Sequence, residues 1–184
     1  MSETESIEAE AAELAADLAA SDRVVVSRPD ANRTLKDELD VATVSHGAVR
    51  EAFESEGWSY HKHLYFRPDA LAERGAELAA ELRSEGRLLA THSELLARIV
   101  DPETEIDDVA GWREGEFVEA LSDAFEAAGW RVDTVGAGSR KQRFYLFPLF
   151  AALTEHHPQG RYPLSESELL AYYLGESVEA AVSE

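Results

Sequence analysis

Cysteine is absent from the 184 residues, which excludes disulfides, zinc–thiolate sites and thiol catalysis. Lysine is nearly absent too, with only Lys36, Lys62 and Lys141. No apolar run approaches the roughly 18 residues that a membrane span requires, so no membrane partner is expected. The chain starts Met1-Ser2-Glu3-Thr4-Glu5, which has neither the basic nor the apolar region of a signal peptide. A cytoplasmic location is therefore expected. Hydrophobic residues make up 45%, so the chain reads as globular, and its length fits one or two small domains with real cores.

Acid is plentiful. Asp and Glu number 37 against 17 Lys and Arg, a formal charge of -20. A surface so acidic and so poor in lysine resembles proteins of salt-in halophiles. Such a charge normally argues against nucleic acid. At 1 M salt the Debye length falls to about 3 Å, so the total charge reports the solvent more than the partner. Local departures from acidity are then more informative. The longest acid-free window is 134–154 and the next is 57–68, while 41–50 is also free of acids.

The Ala-, Glu- and Leu-rich stretch 7–20 reads as a helix with Leu14 and Leu18 four apart. Val24-Val25-Val26 is a brief β-branched strand stopped by Pro29. Asn32 or Thr34 can cap a short helix through Leu39, and Ser45 caps another carrying Val49, Ala52 and Phe53 on one face and closing at Gly57. Trp58-Ser59-Tyr60 and Leu64-Tyr65-Phe66 form a hairpin around His61-Lys62-His63, ended by Pro68.

The pattern then recurs. Glu77-Leu78-Ala79-Ala80-Glu81-Leu82 matches Glu13-Leu14-Ala15-Ala16-Asp17-Leu18 at an offset of 64, and Arg87-Leu88-Leu89 follows as Arg23-Val24-Val25 did. Thr91 and Glu94 form a capping box that opens a helix to Val100. Ala124-Phe125-Glu126-Ala127-Ala128-Gly129-Trp130 matches Ala52-Phe53-Glu54-Ser55-Glu56-Gly57-Trp58 at an offset of 72, which places an eight-residue insertion within 101–111. Two ordered matches, each followed by the same next element, indicate an internal duplication. The expected domains are 6–68 and 69–148, with a helical tail at 149–184. In the tail, Ser165 and Glu168 form a capping box before a helix bearing Leu169, Leu170, Tyr173 and Leu174 on one face.

A helix ending in Gly129-Trp130 runs into Arg131-Val132-Asp133-Thr134-Val135, a Gly-rich basic link, and Arg143-Phe144-Tyr145-Leu146-Phe147-Pro148. This resembles the third helix and wing of a winged-helix domain, and a shorter version recurs at 58–68. The whole chain thus resembles tandem winged-helix proteins. The resemblance implies an α+β, mainly α fold, with helix, strand, two helices and a β-wing occurring twice, followed by C-terminal helices. Proteins of this architecture include transcription regulators, subunits of transcription and replication machinery, and proteins that bind the kleisin of SMC ATPases. The architecture alone does not choose among them.

Wing tips with this charge reach phosphates or the minor groove. The candidate DNA contacts are Lys62 and Arg67 at the first wing, with His61 and His63 beside them, and Arg131, Arg140, Lys141 and Arg143 at the second. The helix after Ser45 adds His46 and Arg50 as major-groove readers. The corresponding helix of the second repeat, about 113–128, carries Glu114, Glu116, Glu119, Asp123 and Glu126 and suits a polyanion poorly. Binding there would have to be led by the wing. The expected partner is DNA. The alternative is a protein-interaction module, an SMC/kleisin-associated or transcription-complex subunit, with the tail helix meeting a protein partner or a second copy.

The aromatic residues near each wing read mainly as packing, and Trp58 and Trp130 as core. His61-x-His63 and His156-His157 lack a third ligand at metal spacing, so no metal is expected. Gly136-Ala137-Gly138 precedes a strand and not a helix, so it is no phosphate loop. No nucleophile motif joins the Ser, His and Asp residues, so neither an enzyme nor a cofactor is expected.

Overall fold

The computed structural model describes residues 3–100, 104, 112, 114–135 and 142–148, with mixed α/β structure that is mainly helical. The first six elements are α1 (Glu3–Ala20), β1 (Val25–Ser27), α2 (Arg28–Leu39), α3 (His46–Ser55), β2 (Ser59–His61) and β3 (Leu64–Phe66). The next six repeat their order: α4 (Pro68–Ser84), β4 (Leu89–Thr91), α5 (His92–Ile99), α6 (Glu116–Ala127), β5 (Arg131–Val135) and β6 (Gln142–Leu146). Two three-stranded antiparallel sheets result, ordered β1-β3-β2 and β4-β6-β5. Tyr65 on the central strand of the first lies opposite both Val26 and Tyr60. Tyr145 holds the same place in the second, opposite Ala90 and Val132. The duplication read in the sequence is thus present in element order and strand register.

Local chemistry sets the helix starts. Ser45 caps α3 by accepting from the Ala48 amide at 3.5 Å, and Thr91 accepts from the Glu94 amide at 3.3 Å, both as expected. The start of α2 differs from expectation. Asn32 and Thr34 are not its caps; Ser27 is. The Ser27 hydroxyl accepts from the Asp30 amide at 3.1 Å and donates to the Asp30 carboxylate at 2.6 Å. Pro29 does more than stop a strand. Its fixed φ and missing N–H suit the first helical turn, where that donor would lack a partner. Pro68 likewise opens α4 as well as closing the hairpin. The start of α1 at Glu3 is earlier than Ile7, and α6 begins at Glu116 and not near Arg113. Gly57 and Gly129, 72 residues apart, end α3 and α6 with φ of 83° and 87°, a turn that side chains with a Cβ resist. The expected tail helices, most of the insertion at 101–111 and the link at 136–141 lie outside the described residues.

Contacts group the described residues of Met1–Gly75 and Leu96–Ala124 into one compact unit, and those of Ala76–Leu95 and Phe125–Glu184 into another. The core of the first gathers Ile7, Ala11 and Ala15 of α1, Leu35 of α2, Val49 and Phe53 of α3, and Trp58 and Tyr65. Phe53 meets Trp58 edge-on at 5.6 Å and Tyr65 at 4.3 Å. The Trp58 indole N–H donates to the Ala15 carbonyl at 3.2 Å, satisfying the ring's one polar atom in the core. In the second unit Phe125 meets Trp130 at 5.6 Å and Tyr145 at 4.7 Å, the same triad. Each such pair adds roughly 0.5–1.5 kcal/mol beyond area burial. Both tryptophans are buried, as the sequence indicates.

Candidate nucleic-acid interface

The Ser27 cap and Pro29 place Arg28 at the first position of α2. The Arg28 amide donates to the His63 carbonyl at 2.8 Å, which ties the helix start to the β2–β3 turn. That turn has two residues, Lys62 and His63, with φ of 42° and 74°, the pattern that matches strand twist in a tight hairpin. The Ser45 cap places His46 at the first position of α3, with Arg50 one turn on. Tyr60 of β2 supports both: its ring lies 5.1 Å from the His46 ring, and the Arg50 guanidinium lies 5.1 Å above it. Tyr60 also packs 5.0 Å from Tyr65.

Cations dominate this neighbourhood. Burial lowers the His46 pKa below its ordinary value, and the nearby Arg28, Arg50 and His63 lower it further. Burial and Arg28 do the same to His63. The Arg50 guanidinium is held more firmly charged, first by its 2.8 Å hydrogen bond to the Glu54 carboxylate and then by that carboxylate's charge. Arg28 has no ion-pair partner among the described residues. Four groups able to carry positive charge therefore share one face of a chain with a formal charge of -20.

Beneath them lies Tyr65, 0% exposed, with its hydroxyl buried and lacking a hydrogen-bond partner among the described residues. Burial, above all, raises its pKa. A buried polar group left unpartnered costs about 1–3 kcal/mol. The second sheet shows the contrast. Tyr145 is equally buried, but its hydroxyl is 3.1 Å from Nδ1 of His92. His92 opens α5 as Arg28 opens α2.

Of the candidate DNA contacts among the described residues, the structure brings His46 and Arg50 together, with His63 of the first hairpin beside them. Lys62 is at the first hairpin tip, paired with the Glu114 carboxylate. There the backbone of Gly115 approaches so closely that a Cβ at that position would collide with the His61 imidazole. Arg67 follows β3 and donates to the Ala19 carbonyl at 3.3 Å, serving the last turn of α1. Arg131, on β5, pairs with Asp133 on the same strand at 3.0 Å. Arg143 is half-buried on β6 opposite Thr134. Arg140 and Lys141 lie outside the described residues. Sequence reasoning missed Arg28 and the place of His63 beside it; Ser27-Arg28-Pro29-Asp30, read as a capped helix start, carried the signal. Among the described residues no group of three or more His, Asp or Glu could hold a metal ion. None of their helices is long and apolar enough to cross a membrane.

No protein family matches the chain, and no curated protein matches it. A solved structure titled "Nse1-Nse3-Nse4 complex" is similar over 100% of this chain and 97% of that chain, at 12% identity and a TM-score of 0.29. A likeness that slight carries no argument about fold or function.

Proposed function

We propose that this is a DNA-binding protein of tandem winged-helix type, a transcription regulator or chromosome-associated factor, with DNA contact led by the first repeat. The observation that carries the reading is the convergence of Arg28, His46, Arg50 and His63 at the starts of α2 and α3. Helix starts favour phosphate through their dipoles, and adjacent cations add to that attraction. The recurring order of helix, strand, two helices and two strands supports the winged-helix reading. The second wing, with Arg140, Lys141 and Arg143, is a further contact in this reading. The first wing contributes less, because Lys62 already holds Glu114.

Fluorescence anisotropy with a labelled duplex tests this. Arg28→Ala weakens binding roughly tenfold at moderate salt, Arg50→Ala weakens it less because Glu54 already holds that guanidinium, and Lys62→Ala changes it little. A folded wild-type protein that leaves the duplex free at every salt concentration refutes the proposal.

One observation favours a second reading, a protein-interaction module. The α6 helix exposes Glu116, Glu119, Asp123 and Glu126, and Glu114 just before it engages a lysine. A surface of this kind suits a basic protein partner better than a nucleic-acid groove. This reading expects a fixed protein partner to co-purify from native extract at high salt. Elution alone, together with duplex binding, rejects it.

A further inference from the structure

The two sheets carry the same buried tyrosine in different states of completion. Tyr145 is matched by His92, an imidazole 3.1 Å from its hydroxyl. Tyr65 occupies the same register on its central strand, yet its hydroxyl has no partner among the described residues. The position that supplies His92 in the second sheet supplies Arg28 in the first, and a guanidinium cannot accept a hydrogen bond. Among the described residues no acceptor meets the Tyr65 hydroxyl, and the Glu54 carboxylate, whose charge reaches it, is taken up by Arg50. Arg28 has no ion-pair partner among the described residues, and the His63 carbonyl is taken up by the Arg28 amide. His46 adds an imidazole and a helix-start amide that has no intrahelical acceptor. Donors arriving from two helix starts, a turn and a strand match a group with several acceptor oxygens.

We propose that the Tyr65 hydroxyl, the Arg28 guanidinium, and His46 and His63 form a seat for one phosphate group. Tyr65 donates to one oxygen and Arg28 to one or two others, and the imidazoles close the remaining side. In its DNA form, where the phosphate belongs to a duplex backbone, the seat rests on the nucleic-acid reading above. Free phosphate offers the same chemistry.

Inorganic phosphate is the probe, exchanged for chloride at constant ionic strength and followed by backbone amide shifts in the full-length protein. The amides of Arg28, His46 and Gly47 shift saturably in the wild type. Tyr65→Phe keeps the ring volume and removes only an unpartnered hydroxyl, so the protein folds, and phosphate affinity drops about tenfold or more. Arg28→Gln loses it similarly, and Tyr145→Phe retains it. No saturable shift in the wild type, or equal affinity in Tyr65→Phe, overturns the seat. A duplex added to the phosphate complex separates the two sources. Displacement of phosphate supports a backbone phosphate in the seat. Phosphate binding without competition by DNA keeps the seat for free phosphate and removes its DNA form. Duplex binding that falls in Arg28→Gln but is unchanged in Tyr65→Phe, with no phosphate response, leaves the DNA reading standing and the seat refuted.

Discussion

Gly75 sits inside the long helix α4, where glycine is about 1 kcal/mol less favourable than alanine. Helix propensity alone therefore predicts that Gly75→Ala stabilises the protein. The packing predicts the opposite. A Cβ at this position would lie 2.7 Å from the Ala124 Cβ and 3.4 Å from Leu121 Cδ1. Non-bonded carbons sit about 3.5–4.0 Å apart at their optimum, so the first contact is roughly 1 Å too close. Ala124 has no rotamer to move, and relief requires the α4 and α6 backbones to separate. Overpacking of this kind costs about 1–3 kcal/mol. Set against the propensity gain, and taking the upper part of that range for so short a contact, the net loss is about 1–2 kcal/mol. For a chain of this size that lowers Tm by about 2–8 °C, measurable by circular dichroism. Ala124→Gly removes the obstructing methyl and costs about 1 kcal/mol by itself. Combined with Gly75→Ala it restores most of the loss, giving a coupling of about 2–3 kcal/mol in a double-mutant cycle. A Gly75→Ala protein as stable as the wild type, or a cycle without coupling, refutes the close approach of these helices.

Ser27→Ala removes a buried cap that both accepts from the Asp30 amide and donates to its carboxylate, and is expected to cost about 1–2 kcal/mol in urea unfolding. Thr34→Ala, at a position the sequence offers as an alternative cap, stays within about 0.5 kcal/mol of wild type, and the reverse ranking would contradict the observed start of α2. The depressed His46 and His63 values set a pH dependence. The unfolded chain binds protons at these imidazoles more readily than the folded one. Their contribution to stability is therefore complete above the ordinary imidazole pKa and declines as pH falls through it toward the lower folded values. Thermal melts from pH 7.5 to 5 should show this fall, flattened in His46→Asn/His63→Asn; an unchanged slope in that variant contradicts the assignment.

The elements were legible in the sequence because their causes are local. Ser45 and Thr91 cap helices through residues three positions on, and the repeated Gly-Trp corners mark where helix gives way to strand. The duplication added a second reading of each signal, whereas the equivalence of Tyr65 and Tyr145 comes from the strand register alone. The site was less legible because its decisive pairings are distant in sequence. Lys62 is held by Glu114, and the latter belongs to a segment that follows the insertion in the second repeat. Arg67 serves the Ala19 carbonyl, which no pattern around residue 67 indicates. A cation count identifies side chains that could meet a phosphate; it does not show which already have an intramolecular acceptor. Arg28 is obscured for a local reason, because Pro29 reads as a strand stop and not as the first turn of a helix.

Lys62 and Arg50 each already hold a glutamate of their own chain. A duplex phosphate that takes either side chain displaces a carboxylate, and the freed carboxylate gathers a cation from solution while the phosphate gives one up. The number of ions released is then close to zero for such a contact, whereas a cation without a resident partner releases about one. Exchange of one anion for another keeps the count of ion pairs constant, so salt neither drives it nor strongly opposes it. If the proposed DNA contact is made, a chain built this way keeps part of it at ionic strengths that would dissolve an interface made of unpaired lysines.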